Sequence, residues 1–276
     1  PKDVMMAQAD YVSPAKVVHK SYKPQVKGDL KKIEEAVKIM AGAKKPLIYA
    51  GGGVVNSGPG ASQLLTQFVQ ATDFPCTLTL MGLGALAASD KHFLGMVGMH
   101  GTYESNMAMH DCDVMLCIGA RFDDRVTGRI DAFAPNSKKI HIDIDPSSIN
   151  KNVHVDLGIV GDVGHVLEDM IKIWKSGQNR ANEKAMKSWW KTIDKWRDRN
   201  SLNYDRDAKI IKPQYAIERL YKLTKKREQV YITTEVGQHQ MWAAQHFHFE
   251  RPNRWMTSGG LGTMGYGLPA AMGVQL

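Results

Sequence analysis

Residues 47–53, with the sequence LIYAGGG, decide the fold class of this chain. Four apolar residues in a row are typical of a strand buried on both faces of a parallel sheet. The glycines that follow, Gly51, Gly52 and Gly53, indicate a tight turn, because glycine lacks a Cβ and adopts positive φ freely. Apolar residues at helical spacing come next, at positions 64, 65, 68 and 69. A strand, a turn and a helix in this order indicate the α/β class.

The same alternation extends to both sides of this segment. Asp29 is predicted to cap a helix in which apolar residues between positions 30 and 40 follow a 3.6-residue spacing. Further strands are predicted at 76–80, 114–118 and 140–144, and a helix at 163–174. We therefore expect a central, Rossmann-like three-layer domain around a parallel sheet, with ligands bound beyond the carboxyl ends of its strands.

The domain organisation is predicted from shifts in composition. We expect a connector at 1–27, the central domain at 28–176, a linker helix region at 177–209, and the beginning of a second α/β domain at 210–276. The linker helix carries a stripe of tryptophans suited to docking on one side. The last helix, predicted from residue 268, stops before its apolar face is complete, so the second domain is expected to be truncated.

Composition excludes several classes of function. With 43% hydrophobic and 23% charged residues, the chain has the composition of a globular protein. The net charge of +8 comes from dispersed basic residues, so we expect no nucleic-acid partner. No apolar run approaches the roughly 20 residues of a membrane span, so no membrane is expected either. The three cysteines form no CxxC pair, which favours buried free thiols in a reducing compartment and a cytoplasmic location.

Two motifs follow predicted strands of the central domain and each has two interpretations. The glycine triplet suits a phosphate or a structural turn, because Asn56 occupies the third glycine position of the dinucleotide fingerprint. Residues 119–128 (GARFDDRVTG) place two arginines beside two aspartates. They suit either a surface ion-pair cluster or arginines that bind a phosphate or carboxylate.

Single polar residues leave similar alternatives. His100 is either a buried neutral histidine, a surface loop residue or part of a site. Asp143 suits either a loop cap or a contact to a ribose hydroxyl, and Asp162 either a helix N-cap or a ligand contact. His239 suits a helix cap or, in the segment GQHQ at 237–240, an anion site. No HExxH motif and no third ligand accompany it, so no zinc site and no other metal site are predicted.

Four separated segments resemble segments of the acetolactate synthase (acetohydroxyacid synthase) catalytic subunits and occur in the same order. They lie at 98–101, 119–128, 237–240 and 258–271. The resemblance spans the whole chain. It implies a thiamine-diphosphate enzyme that also carries FAD and uses Mg²⁺. Such an enzyme decarboxylates pyruvate and joins the remaining fragment to a second 2-keto acid, pyruvate or 2-ketobutyrate, in branched-chain amino-acid biosynthesis.

The resemblance also implies site residues. Those for FAD are Gly51, Gly52, Gly53, Thr79, Leu80, Met81, Gly98, Met99, His100, Gly101, Gly119, Ala120, Arg121, Asp123, Arg125, Val126, Asp143, Ile144, Asp162 and Val163. Those for thiamine diphosphate are Gly237, Gln238, His239, Gly262 and Met264. Met99 and Arg125 would face the substrate channel, where Arg125 would receive the carboxylate of the second keto acid. Without the resemblance, Met264 would be assigned to core packing.

The resemblance places other parts of the machinery outside this chain. The glutamate that activates the thiazolium would come from an amino-terminal domain of a neighbouring subunit, and the magnesium motif would lie beyond Leu276. We therefore expect no catalytic residue here and no activity from the chain alone. A homodimer or homotetramer, with a possible regulatory subunit, is implied. The alternatives are a non-catalytic nucleotide-binding or FAD-binding module, or another thiamine enzyme such as glyoxylate carboligase or oxalyl-CoA decarboxylase.

Overall fold

A computed structural model describes residues 6–13, 23–177 and 180–276. Its centre is a six-stranded parallel sheet of strand order β3-β2-β1-β4-β5-β6. These strands are β1 (Pro46–Ala50), β2 (Cys76–Leu78), β3 (Phe93–Met96), β4 (Val114–Ile118), β5 (Lys138–Asp143) and β6 (Leu157–Val160). The helices are α1 (Leu30–Ala41), α2 (Gly52–Asn56), α3 (Pro59–Thr72), α4 (Tyr103–Asp111), α5 (Asp124–Thr127), α6 (Val163–Lys175), α7 (Glu183–Arg197), α8 (Pro213–Thr224), α9 (Gln238–His246) and α10 (Gly267–Gln275).

The two central strands, β1 and β4, form the core of the sheet. Every residue of both is buried, and they pair in parallel from Pro46 opposite Val114 to Ala50 opposite Ile118. Helices cover the sheet in an α/β three-layer fold, as predicted. The chain order reverses between β1 and β4, which is the place where open α/β sheets bind ligands.

Helix caps predicted from the sequence are present. Asp29 Oδ1 accepts a hydrogen bond from the Lys31 N–H at 2.9 Å, and α1 buries Ile33, Val37 and Met40. The predicted first apolar residue, Leu30, is 53% exposed and lies outside the core. The three cysteines are free and buried, as predicted.

The edge strands β3 and β6 are not predicted by the sequence pattern. Only alternate residues of each are buried, because each lies at an edge of the sheet. The predicted strand at 76–80 ends at Leu78 and continues as a 3₁₀ turn. Residues 230–234 contain only the short strand β7 (Ile232–Thr233), whose only described partner is the equally short β8 (Trp255–Met256).

Helix α7, predicted as part of a linker, is docked against the central sheet. The indole N–H of Trp189 donates to the Pro46 carbonyl at 3.0 Å, and that of Trp190 donates to the Asp73 carbonyl at 2.9 Å. Pro46 begins β1, and Asp73 lies between α3 and β2, three residues before β2. Helix α7 therefore braces the edge of the sheet opposite to the one where the candidate motifs lie.

The carboxyl-terminal part contacts the segment between β2 and β3 through residues 249–251. The Ala88 N–H donates to the Phe249 carbonyl at 3.1 Å, and the Ser89 hydroxyl donates to the Glu250 carboxylate at 2.6 Å. Gly84 lies so close to Arg251 that a Cβ on Gly84 would be 2.2 Å from the Arg251 carbonyl oxygen. Within the described residues, no helix has the length and apolarity that a membrane crossing requires.

Candidate functional site

A cleft of about 640 Å³ opens at the carboxyl ends of β1 and β4, and we call it the switch-point cleft. The predicted residues that line it are Gly52, Gly53, Thr79, Leu80, Met81, Gly119, Ala120, Arg121, Asp123, Arg125, Val126, Asp143, Ile144, Asp162 and Val163. The residues that line it without having been predicted are Tyr49, Asn56, Ser57, Asp145, Ser148, Gly259 and Gly260. Its volume lies within the range of about 300–1,000 Å³ that is usual for small-molecule sites.

The glycine turn after β1 owes its composition to a neighbouring loop. The Gly53 N–H donates to the Gly119 carbonyl at 2.9 Å. A Cβ on Gly51 would lie 2.4 Å from the Gly119 oxygen, and a Cβ on Gly53 would lie 2.6 Å from the Gly119 Cα. The missing side chains of Gly51 and Gly53 therefore let two loops pack together. Of the two interpretations of the triplet, the structural turn is present, and Gly52 and Gly53 also line the switch-point cleft.

The loop after β4 carries Arg121 on the wall of the cleft. Two of its residues, Gly119 and Phe122, have left-handed backbone with φ of 58° and 51°. The Arg121 side chain is 67% exposed, and its Nη2 lies 3.7 Å from Asp123 Oδ2. That single exposed ion pair is weak, so the guanidinium stays available to an anionic group in the cleft.

Carboxylates also line the cleft. Asp143 Oδ1 accepts a hydrogen bond from the Asp145 N–H at 2.9 Å. Asp162 Oδ1 accepts from the Gly164 N–H at 3.0 Å and from the Ser57 hydroxyl at 2.8 Å. The interpretations as loop cap and helix N-cap are therefore correct for Asp143 and Asp162, and both residues also line the cleft. Sequence reasoning missed Ser57, whose only signal is its position between α2 and α3, two residues before Pro59.

Burial shifts the pKa values of Asp143 and of its neighbour His141 in opposite directions. Burial raises the pKa of the Asp143 carboxyl and lowers the pKa of the His141 imidazole. His141 is fully buried, and its Nε2 lies 3.8 Å from Asp143 Oδ2. The sequence offers no local signal for His141, because its position on β5 reads as one more core residue.

The predicted segment 98–101 lies outside the lining of the cleft but contacts one of its residues. The Met99 N–H donates to the Arg125 carbonyl at 2.8 Å, and a Cβ on Gly98 would lie 2.5 Å from the same oxygen. Met99 is 64% exposed, and His100 is exposed. The interpretation of His100 as a buried neutral histidine is therefore wrong, since it is a surface loop residue. Gly101 packs against the backbone of Val97.

The residues predicted for thiamine diphosphate lie in two adjacent loops outside the cleft. Gly237, Gln238 and His239 are exposed around the start of α9, and Met264 is 78% exposed in the second loop. A Cβ on Gly262 would lie 3.7 Å from Val236, so the loops are in contact. The assignment of Met264 to core packing is wrong.

Glu235 ties these two loops together, a role that the sequence did not predict. Its carboxylate accepts hydrogen bonds from the backbone N–H groups of Gly265, at 2.9 Å, and Gly267. These hydrogen bonds lower the pKa of the Glu235 carboxyl. The buried Gln240 fixes the same region, because its amide donates to the Thr257 hydroxyl at 2.6 Å.

The glycine-rich segment, residues 258–267, lies beside both candidate sites. A Cβ on Gly259 would lie 2.3 Å from Met81 Sδ, and one on Gly260 would lie 3.5 Å from Arg121 Nη2. Its other end is held by Glu235 near Gly237. One segment therefore forms a rim of the switch-point cleft and a wall of the second site.

Replacing Glu235 by alanine is expected to free the glycine-rich segment. The N–H groups of Gly265 and Gly267 lose their acceptor, so their amide hydrogens should exchange at least about ten-fold faster, by local opening. Hydrogen exchange followed by mass spectrometry measures this. The matched control is Glu228→Ala, which removes an exposed carboxylate elsewhere. Unchanged exchange in the Glu235 variant would show that the carboxylate does not hold the segment.

Among residues 6–13, 23–177 and 180–276, no group of three or more histidine, cysteine, aspartate or glutamate side chains is arranged to hold a metal ion.

Comparisons with known proteins match both parts of the chain. Residues 33–170 match the family model of the thiamine pyrophosphate enzyme central domain, and residues 235–276 match that of the C-terminal thiamine pyrophosphate binding domain. The chain is 45% identical over 278 residues to the acetolactate synthase isozyme 3 large subunit of Escherichia coli (strain K12), covering 100% of this chain and 48% of that protein.

Two further relatives give similar values. The acetolactate synthase large subunit of Haemophilus influenzae is 47% identical over 266 residues, covering 96% of this chain and 46% of that protein. An acetolactate synthase of Mycobacterium leprae is 42% identical over 277 residues, covering 100% of this chain and 44% of that protein. The chain thus spans about half the length of the curated relatives that it matches.

Proposed function

The chain belongs to the thiamine pyrophosphate enzyme family, and we propose that it forms the central and carboxyl-terminal parts of an acetolactate synthase large subunit. The observation that carries this proposal is the similarity along the whole chain to acetolactate synthases, at 45% identity. It is supported by the switch-point cleft, which gathers most of the residues that the resemblance assigns to a flavin.

We propose that the switch-point cleft holds FAD. The cleft has the chemistry that a dinucleotide needs, because it is lined by the backbone of Gly52 and Gly53, the cation of Arg121 and the carboxylate of Asp143. Arg121 suits the diphosphate, and Asp143 suits a ribose hydroxyl. Because the proposed reaction involves no net redox change, FAD is proposed as a structural group.

We propose that thiamine diphosphate binds at the loops joined by Glu235, with Gly237, Gln238, His239, Gly262 and Met264 around it. The bound coenzyme supplies the electron sink for decarboxylation and carbon–carbon bond formation. The contribution of these residues is to fix the backbone next to it. The Glu235 carboxylate holds two N–H groups of the glycine-rich segment, so this wall is set before binding.

Arg125 is proposed to orient the second substrate. Its guanidinium is exposed beside the switch-point cleft, and its backbone carbonyl is anchored by the Met99 N–H at 2.8 Å. A guanidinium in this position can bind a carboxylate through two parallel hydrogen bonds. Met99, 64% exposed, is proposed to form an apolar wall of the same channel.

The substrates are proposed to be pyruvate and a second 2-keto acid, pyruvate or 2-ketobutyrate. We propose a homodimer or homotetramer in the cytoplasm, with a regulatory subunit as a further partner. The magnesium ligands are proposed to lie outside the described residues, as the resemblance implies.

Two measurements test the proposed function. The 276-residue chain is titrated with FAD while the quenching of flavin fluorescence is followed, and a saturable change is expected. A full-length enzyme that contains the chain is assayed for acetolactate formation from pyruvate, which should require thiamine diphosphate and magnesium. Activity without thiamine diphosphate, or an unsaturable flavin signal, would refute the respective part of the proposal.

Replacing Arg125 by methionine in that full-length enzyme is expected to raise the KM for the second keto acid about 10- to 100-fold. The reason is the loss of a hydrogen bond between charged groups, worth about 1.5–3 kcal/mol. The rate of acetohydroxybutyrate formation, at fixed pyruvate and increasing 2-ketobutyrate, measures the effect. Arg129→Met is the matched control, because Arg129 is 79% exposed and pairs with Asp131. Equal KM values for the second keto acid in the two variants would show that Arg125 does not bind this substrate.

A further inference from the structure

The loop that carries Arg121 is held at three consecutive carbonyl groups. The Ala120 carbonyl accepts from His141 Nε2 at 2.8 Å. The Asn152 side-chain amide donates to the Arg121 carbonyl at 3.0 Å and to the Phe122 carbonyl at 3.2 Å. Such fixation matters here, because the loop contains Phe122 in the left-handed region, a conformation that a non-glycine residue keeps only when its surroundings impose it.

His141 supports this loop from inside the protein. It lies on β5, has no exposed surface, and packs edge-on against the Phe122 ring with centroids 5.0 Å apart. A carbonyl oxygen only accepts, so Nε2 must carry the proton. The other ring nitrogen, Nδ1, is buried without a hydrogen-bond partner among the described residues. An orphaned buried nitrogen is costly, and packing alone would favour an apolar side chain at this position.

We propose that His141 and Asn152 are positioning residues for the switch-point cleft. They fix the backbone of residues 119–122 from two sides, and so set the place of the Arg121 guanidinium at the cleft wall. Neither side chain is among those that line the cleft, so each acts through the loop and not by contact with a ligand. The inference rests on the proposed function, because the ligand whose binding it affects is FAD.

Two substitutions of His141 separate its hydrogen bond from its ring. His141→Phe keeps an aromatic ring and removes the donor, whereas His141→Gln keeps a donor near the position of Nε2 and removes the ring. We expect the dissociation constant for FAD to rise about ten-fold in the Phe variant, equivalent to roughly 1.4 kcal/mol. In the Gln variant it should stay within about three-fold of the unsubstituted protein. Flavin fluorescence quenching gives both values, on the chain and on a full-length enzyme that contains it.

Control variants distinguish an effect on FAD affinity from a general loss of stability. Ile140→Val removes a buried methyl group from the adjacent residue of β5, so it should lower the melting temperature without changing FAD affinity. Asn152→Ala changes an exposed residue and should fold normally. It is expected to weaken FAD binding several-fold, and it tests the proposal even if His141→Phe fails to fold.

A double substitution tests the route through Arg121. If His141 acts by placing that guanidinium, the losses of FAD affinity in Arg121→Met and His141→Phe should not add in the double variant. Additive losses, or FAD affinities in the Phe and Asn152→Ala variants equal to that of the unsubstituted protein, would overturn the positioning role alone. No saturable FAD binding in the unsubstituted protein would instead refute the proposed flavin site, and this inference with it.

Discussion

Gly119→Ala is expected to lower the free energy of unfolding by about 3 kcal/mol or more and to abolish saturable FAD binding. Gly119 has a φ of 58°, and a residue with a side chain loses roughly 1–2 kcal/mol of stability in this left-handed conformation. Its Cβ would also lie 2.7 Å from the Gly53 Cα and 3.1 Å from the Val54 nitrogen. Those are backbone atoms of the turn after β1, so the two loops would have to separate to remove the clash. That separation is expected to cost about 1–3 kcal/mol in addition.

Urea denaturation, followed by tryptophan fluorescence, measures the loss of stability. Gly60→Ala is the matched control, because Gly60 lies in α3 and a Cβ there would meet nothing within 4 Å. Alanine is the better helix former, so this control should be neutral or stabilising by up to about 1 kcal/mol. A Gly119 variant as stable as the Gly60 variant would show that the loops tolerate a Cβ at their contact.

His92→Leu is expected to destabilise the protein by about 3 kcal/mol. The His92 side chain is 4% exposed, and its two ring nitrogens contact Asp90 at 2.7 Å and Asp73 at 2.9 Å. A carboxylate oxygen accepts, so a ring nitrogen that carries a proton donates to the carboxylate that it faces. The substitution leaves the Asp90 carboxylate, 11% exposed, without the ring beside it, and a buried charge that loses its partner is strongly destabilising.

Lys91→Ala provides the control, because Lys91 pairs with the same Asp73 at 3.4 Å but is 80% exposed. Such an exposed pair is worth at most about 1 kcal/mol. Equal losses of unfolding free energy in the two variants would show that the buried bridge adds nothing.

The acid dependence of stability gives a second test of the same bridge. Burial by itself would raise the pKa of the Asp90 carboxyl, but hydrogen bonds from the His92 backbone and ring lower it overall. A lowered carboxyl pKa stabilises the fold above about pH 4, and this stabilisation is lost as the pH falls through the folded-state value. The difference in the free energy of unfolding between the unsubstituted protein and His92→Leu should therefore become smaller as the pH falls. If this difference stayed constant as the pH was lowered, the contact between His92 and the Asp90 carboxylate would not be the source of the stabilisation.

Much of the fold follows from local patterns in the chain. Strand β4 runs from Val114 to Ile118 as predicted, because its five buried residues leave an uninterrupted apolar run. Asp29 and Asp162 cap their helices, since a short acceptor before an amphipathic segment satisfies free N–H groups wherever that segment packs. These features depend on neighbours within a few positions.

The candidate site was predictable only as a set of loops. That the loops after β1 and β4 meet follows from parallel strands, whose carboxyl ends lie at one edge of the sheet. Which residue supports which was not predictable, as Glu235 and His141 show. Glu235 binds N–H groups about 30 positions away, and His141 binds a carbonyl 21 positions away. The binding roles of the cleft residues remain predictions.

The sequence by itself determined the strands of the sheet centre, the helix caps and the positions of the turns, because periodicity, capping and backbone sterics act over a few residues. Only the tertiary structure decided that Gly51 and Gly53 make room for a loop, that Met264 is exposed, and that the glycine-rich segment lies beside both candidate sites. Those facts depend on which distant segments share the same space, and no local pattern in the chain encodes that.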